Sequence, residues 1–186
     1  VQDVLKSGKV NYWTGQECRE FEREFADFIG TEHAIAVSNG TVALELALIA
    51  AGVKAGDDVV VSPRTFVATG SAVAMLGATP VFADIDSTSG NVTAETIAAT
   101  LTPQTTAIIV VHAFGWPADM PAIMKLAEQH DVKVIEDCAQ AHGATIDGKK
   151  VGSFGHINAF SFCQDKIMTT GGEGGMVTTS CPELWE

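Results

Sequence analysis

Lys166 has the widest chemical reach in this sequence. It lies in Ser161-Phe-Cys-Gln-Asp-Lys166, just beyond a strand-like run. A lysine in a partly closed pocket can have a lowered pKa and form a Schiff base with a carbonyl. Asp137 follows the apolar residues 132–135 and precedes Cys138-Ala139. A carboxylate in such company is costly unless a cation or several donors meet it. It is either a capped or salt-bridged aspartate or the counter-ion of a buried cationic ring nitrogen. Ser38-Asn-Gly40-Thr41 is a small-residue turn feeding a helix. The unpaired N–H groups and dipole of such an N-terminus favour an anion, although a plain helix cap has the same pattern. Gly171-Gly-Glu-Gly-Gly175 permits a tight backbone turn. An amine, a carboxylate, an anion hole and a flat side chain are the parts pyridoxal phosphate requires. Lys166, Asp137, Gly40-Thr41 with Ser161, and Phe66 supply one of each. The carboxylate keeps the ring nitrogen protonated, so the ring can act as an electron sink.

Elements with a consistent rhythm position these residues. Strand-like runs at 34–37, 58–61, 80–83, 107–111, 132–135, 157–162 and 176–179 alternate with helical patterns. The expected fold is α/β, a three-layer α/β/α arrangement on a mostly parallel seven-stranded sheet. Ligands of such sheets sit beyond the carboxyl ends of the strands. There the sequence places 38–41, Arg64-Thr65-Phe66, Asp84 and Asp86, His112, Asp137 with Gln140, and 161–166. Thr14-Gly-Gln-Glu17 has the spacing of a capping box. The helix it opens carries Phe21, Phe25 and Phe28 on one core face and stops at Gly30. Residues 42–51 and 66–76 also read as helices. Thr93 can cap a helix reaching Leu101, and Pro117 suits the first turn of one extending to about His130.

Composition narrows the function classes. Eleven Lys+Arg against 23 Asp+Glu among 186 residues give a net charge of −12. That sign argues against nucleic acid and anionic membrane surfaces as partners. No apolar run is long enough for a membrane helix, and no secretory signal is visible. Cys18, Cys138, Cys163 and Cys181 have no C-x-x-C spacing, so they read as buried, reduced thiols of a cytoplasmic protein. The start at Val1 and the stop at Trp185-Glu186 suggest a fragment. Residues 143–150 imitate a Walker A loop but lack its Ser/Thr, so a hairpin turn is expected. The sequons at Asn39 and Asn91 read as unused. The histidines show no metal-ligand spacing. His112 and His142 read as loop residues with satisfied rings, and Asp57, Asp58, Asp84 and Asp86 as turn residues.

Six motifs, in order and across the whole chain, resemble the DegT/DnrJ/EryC1/StrS family of nucleotide-sugar aminotransferases. They are Thr14-Gly15 with Phe21-Glu22, Ser38-Asn-Gly-Thr-Val-Ala-Leu44, Pro80-Val-Phe-Ala-Asp-Ile-Asp86, His112-Ala-Phe-Gly-Trp-Pro-Ala-Asp-Met120, Glu136-Asp-Cys-Ala-Gln-Ala-His-Gly-Ala144, and Ala159-Phe-Ser-Phe-Cys-Gln-Asp-Lys166 with its glycine turn. The resemblance implies a fold-type-I enzyme using pyridoxal 5'-phosphate. Residues 1–186 would be its cofactor-binding large domain, without the C-terminal small domain. Lys166 would form the Schiff base and move the proton, and Asp137 would pair with the pyridinium nitrogen. Gln140 would bond the ring hydroxyl, and Phe66 would stack on the ring. Gly40, Thr41 and Ser161 would hold the phosphate. An amino-acid donor, typically glutamate, would supply nitrogen to a keto sugar on a nucleotide. The product would enter surface polysaccharide or a glycosylated natural product, and the enzyme would act as a homodimer. Cys163-Gln164-Asp165 and a longer glycine turn depart from the family pattern on the substrate side. The alternatives are a dehydratase relative, which such a lysine argues against, and a non-catalytic binding module.

Overall fold

The computed structural model describes residues 1–185. Seven strands form the main sheet: β1 (His33–Val37), β2 (Asp58–Val61), β3 (Thr79–Phe82), β4 (Thr105–Val111), β5 (Lys133–Asp137), β8 (Ile157–Ser161) and β9 (Gly175–Thr179). A separate hairpin is made of β6 (Thr145–Ile146) and β7 (Lys149–Lys150). The sheet order is β1-β9-β8-β5-β4-β2-β3. Only β9 runs against its neighbours, β1 and β8. The remaining pairings, β2 with β3 and β4, β4 with β5, and β5 with β8, are parallel.

Alternation along the strands explains the three layers. Val59, Val61, Ile109 and Ile135 point to one face, where α3 (Gly40–Ala50) and α4 (Ala68–Met75) cover them. Val60, Ile108, Val110 and Val134 point to the other, beneath α5 (Ala94–Ala98) and α6 (Met120–His130). Successive side chains of a strand alternate faces, so strands apolar at every position need cover on both sides. A third core gathers Phe25, Ile29, Phe160 and Phe162 under α2 (Glu17–Ile29). Two short helices, α1 (Gln2–Ser7) and α7 (Pro182–Trp185), flank the domain.

Several local readings need correction. Thr14 does not cap α2. Its hydroxyl donates to Asn11 Oδ1, which also takes the Trp13 and Thr14 N–H groups. The residue at the N-cap is Gln16, and the Glu17 carboxylate accepts its N–H. Pro117 is outside α6, because Phe114 (φ 56°) and Gly115 (φ 80°) turn the chain sharply before it. Asp119 caps that helix through Ala122 N–H, and Pro121 takes the first turn. Phe66 and Val67 precede α4, which starts at Ala68. Phe28 is 45 % exposed, under Lys150, unlike the buried Phe25. Only Cys138 of the four free cysteines is fully buried.

Other readings match the structure. Thr93 and Thr96 form a reciprocal capping box at α5, although that helix ends at Ala98, short of Leu101. Residues 143–150 contain the β6–β7 hairpin, whose turn places Asp147 and Gly148 at positive φ. Asn91 is buried, with its amide bonded to Trp116 O and Ala113 N–H, so the folded chain does not offer that sequon. Asp86 accepts from Ser89 and Thr88 N–H groups, which hold its carboxyl below the usual range.

Candidate active site

A cleft of about 460 Å³ opens at the carboxyl ends of β4, β5 and β8. Its walls include Gly40, Thr41, Phe66, Asp137, Gln140, Ser161 and Lys166. All seven candidate residues, up to 126 positions apart in sequence (Gly40 to Lys166), therefore meet at one place. Asp84 and the histidines are not on these walls.

The anion end is built by α3. Asn39 is its N-cap, and Asn39 Oδ1 accepts the Val42 N–H at 2.9 Å. This keeps the first turn in register and leaves the Gly40 and Thr41 N–H groups at the open helix end. Thr41 Oγ1 makes no hydrogen bond among the described residues. Gly40 lies against β8, where a Cβ would stand 2.7 Å from Ser161 Cβ and 3.1 Å from its Oγ. The lack of a side chain thus brings a helix N-terminus, a serine hydroxyl and a threonine hydroxyl within reach of one small anion.

The carboxylate end lies at the tip of β5. Asp137 is 6 % exposed. Its Oδ2 accepts the Thr69 hydroxyl at 2.8 Å, and its Oδ1 accepts the Ala139 N–H at 3.1 Å. Thr69 Oγ1 is also 2.7 Å from Thr65 Oγ1. The Thr69 proton is committed to the carboxylate, so Thr65 donates to Thr69. Burial pushes the Asp137 carboxyl above its ordinary value, and the Thr69, Ala139, His112 and Lys166 interactions offset this only in part. A buried cation against Asp137 would relieve that cost. Thr69→Val, which removes one of the two donors, should lower stability by about 1–3 kcal/mol in urea unfolding, and Thr69→Ser should restore most of it.

Lys166 is half-buried, its side chain 20 % exposed, with Nζ 3.7 Å from the solvated Asp165 carboxylate. Lys166 N donates to Cys163 O, which holds the short turn after β8. Gln140 Oε1 accepts the Phe114 N–H at 2.7 Å, leaving its amide NH₂ free to donate. Phe66 stands at the mouth, 65 % exposed. Cys163 Sγ donates to Glu173 Oε1 at 3.2 Å, and that contact raises the thiol pKa.

Beside the cleft lies a buried network that the sequence did not point out. Glu136 is fully buried and accepts four hydrogen bonds, from His112 Nε2, Gly152 N, Phe154 N and Gly155 N. His112 Nδ1 accepts the Ala118 N–H, which places the ring proton on Nε2, facing Glu136. His112, Glu136 and Cys138 approach one another closely enough to suggest ligands. The His and Glu lone pairs are already engaged, however, and burial keeps the Cys138 thiol well above its usual pKa. His112 is thus satisfied, as expected. His142 departs from expectation, since neither ring nitrogen has a hydrogen-bond partner. It packs against Phe160 and Phe162, and burial lowers its pKa. Thr65 stood among the strand-end residues in sequence, but Thr69 went unnoticed, although its i, i+4 spacing from Thr65 was the available signal.

Comparison with known proteins finds relatives over nearly the whole chain. The chain is 50 % identical over 175 residues to a UDP-N-acetyl-3-dehydro-alpha-D-glucosamine 3-aminotransferase of Acidithiobacillus ferrooxidans, covering 94 % of the chain and 47 % of that protein. An aminotransferase structure from Psychrobacter cryohalolentis superposes with a TM-score of 0.97 at 61 % identity, over 99 % of the chain and 47 % of its own. The structure of NtdA from Bacillus subtilis with bound cofactor PMP gives 0.91 at 31 % identity, over 98 % and 41 %. The chain spans about half the length of the relatives it matches. The sequence description of the DegT/DnrJ/EryC1/StrS aminotransferase family matches residues 1–186. With the α/β fold and the cleft at the strand ends, that match means the chain belongs to the DegT/DnrJ/EryC1/StrS aminotransferase family.

Proposed function

We propose that residues 1–186 form the cofactor-binding large domain of a pyridoxal 5'-phosphate-dependent aminotransferase. Its donor is an amino acid, with glutamate the first candidate, and its acceptor a keto sugar carried on a nucleotide. The observation that carries this reading is the convergence of one amine, one buried carboxylate and one helix-end anion hole on a single cleft. The residues fit the cofactor by chemistry. The missing Cβ of Gly40 lets the start of α3 pack directly on Ser161, which sets helix-end N–H groups beside a serine hydroxyl on the cleft wall, and among the described residues Asp137 is a buried carboxylate without an ion pair. The relative named for a UDP-linked sugar and the structure holding PMP support the substrate and cofactor classes.

Bound there, pyridoxal phosphate supplies an electron sink for charge developing at the substrate carbon. The chain's own residues do the rest. Lys166 contributes the amine that attaches the cofactor and afterwards carries the proton at Nζ. Asp137 stabilises a protonated ring nitrogen, and Thr69 and Ala139 orient its two oxygens. The Gln140 amide donates toward the ring hydroxyl. Phe66 covers one ring face and restricts water. Gly40, Thr41 and Ser161 hold the phosphate end, and partners on one rigid α3–β8 contact fix the cofactor's position.

Adding pyridoxal phosphate to the protein should produce a visible absorption band, and glutamate should shift it. A missing band would sink the cofactor assignment. A band that no amino-acid donor perturbs would sink amino transfer and leave a cofactor-binding module. Gly40→Ala should cost about 1–3 kcal/mol through its contact with Ser161. It should also weaken binding of the phosphorylated cofactor while leaving unphosphorylated pyridoxal unaffected, as read by fluorescence titration.

A further inference from the structure

The cleft has an electrostatic problem. Among the described residues its walls carry one cation, Lys166, against three carboxylates, Asp137, Asp165 and Glu173. The whole chain stands at −12. On the aminotransferase reading, Lys166 is committed to the cofactor, yet amino-acid donors and nucleotide-linked acceptors are both anionic. Such a substrate needs another local cation to enter and stay.

Arg64 is the candidate. It is not itself on the cleft wall, but it immediately precedes Thr65 and Phe66, which are. Two contacts hold its guanidinium in place. Nη1 donates to Gly90 O at 3.2 Å, and the group lies 4.8 Å from the centre of the Phe114 ring. Any side chain at Gly90 would collide with Nη1, so the seat exists only because that residue is glycine, at φ 70°. Phe114 is itself tied to the cleft, since its N–H donates to Gln140 Oε1. Among the described residues Arg64 forms no ion pair, and its side chain makes a single hydrogen bond. A guanidinium has five donors in a planar fork. Most of that fork is unspent, in a chain with about twice as many acids as bases.

We propose that Arg64 is a substrate subsite that binds an anionic group, carboxylate or phosphate, at the mouth of the cleft. A preoriented planar fork suits bidentate capture of either group. The seat against Gly90 and Phe114 reduces the side-chain entropy lost on binding. The carboxylate would come from the amino donor, the phosphate from the nucleotide of the acceptor. The proposal rests on the aminotransferase reading of the same cleft.

The test is calorimetric binding of two probes, L-glutamate and uridine diphosphate, to the cofactor-loaded protein. Wild type, Arg64→Gln and Arg64→Lys are compared, with thermal melts alongside. Arg64→Gln should weaken one probe by roughly tenfold or more, as expected for a lost charge-assisted contact. Arg64→Lys, which keeps charge but loses the fork, should fall between. The affected probe identifies the source of the anion. Two outcomes overturn the proposal. One is that neither probe binds the wild type. The other is that both bind Arg64→Gln as tightly as wild type, including the case where only the melting temperature falls, which would make Arg64 a staple between two loops. Failure of the aminotransferase reading looks different, because wild type would then show no cofactor band.

Discussion

Lys166→Ala should abolish the visible band formed with pyridoxal phosphate and lower amino transfer at least about 10²–10⁴-fold, the range for a positioned proton-transfer group. Among the described residues Lys166 is the only amine on the cleft wall, so no neighbour there can replace it. Its position depends on the turn after β8, through Lys166 N to Cys163 O, and not on a salt bridge, since Asp165 is 3.7 Å away and 73 % exposed. The variant should therefore fold and still bind the cofactor reversibly through the phosphate end and Asp137. Lys166→Arg separates charge from chemistry, because it keeps a cation at the site but offers no reactive amine. Absorption spectra of the three proteins at equal cofactor concentration decide the matter. A band that survives in both variants would place the reacting amine elsewhere.

Glu136→Ala should lower stability by about 3–5 kcal/mol, the scale for breaking a buried, hydrogen-bonded charge site. Four donors converge on this one side chain: the His112 ring from the end of β4 and three backbone N–H groups from 152–155. Alanine would leave all four without their acceptor, the His112 ring and the Gly152 N–H fully buried and the Phe154 and Gly155 N–H groups partly so. Glu136→Gln is a milder change, keeping one acceptor oxygen but turning an NH₂ toward an N–H. Urea unfolding of the three proteins measures the difference. Burial alone would raise the Glu136 carboxyl, but the His112 hydrogen bond and the Gly152 and Gly155 N–H groups outweigh it and hold the carboxyl below the ordinary value. A carboxyl lowered by folding contributes stability that is fully present above its unfolded value of about 4.3. That contribution fades as pH falls through the lower folded value. Wild-type stability should thus drop below about pH 4 more steeply than that of Glu136→Gln.

Periodicity alone made much of the scaffold readable. Runs such as 107–111 are apolar at every position, and only a strand covered on both faces tolerates that. The boundaries failed where side chains compete for the same partner. Thr14 has the right spacing for a cap, but Asn11 takes its hydroxyl first. Pro117 suits a helix start, but the left-handed turn at Phe114 and Gly115 delays α6 to Met120. The first outcome depends on a hydrogen bond and the second on backbone dihedrals, and a spacing rule weighs neither.

The site divides along the same line. Residue type and position after a strand brought Lys166, Asp137, Gln140, Ser161, Gly40, Thr41 and Phe66 onto one list, together with Asp84, Asp86 and His112, which are not on the cleft wall, and the family resemblance gave Gln140 its role. Each is a local property, because a strand's end fixes which residue faces the cleft. The supports of that site come from elsewhere in the chain. Thr69 reaches Asp137 across 68 positions, and Arg64 finds its seat on Gly90 across 26. His112 meets Glu136 only because β4 and β5 pair in parallel register, Val110 opposite Glu136. By itself the sequence determined the element order and the reactive groups, since these follow from periodicity and side-chain chemistry. Only the tertiary structure decided which donors and cations surround those groups, because pairing register and a glycine's empty volume exist only once the layers are packed.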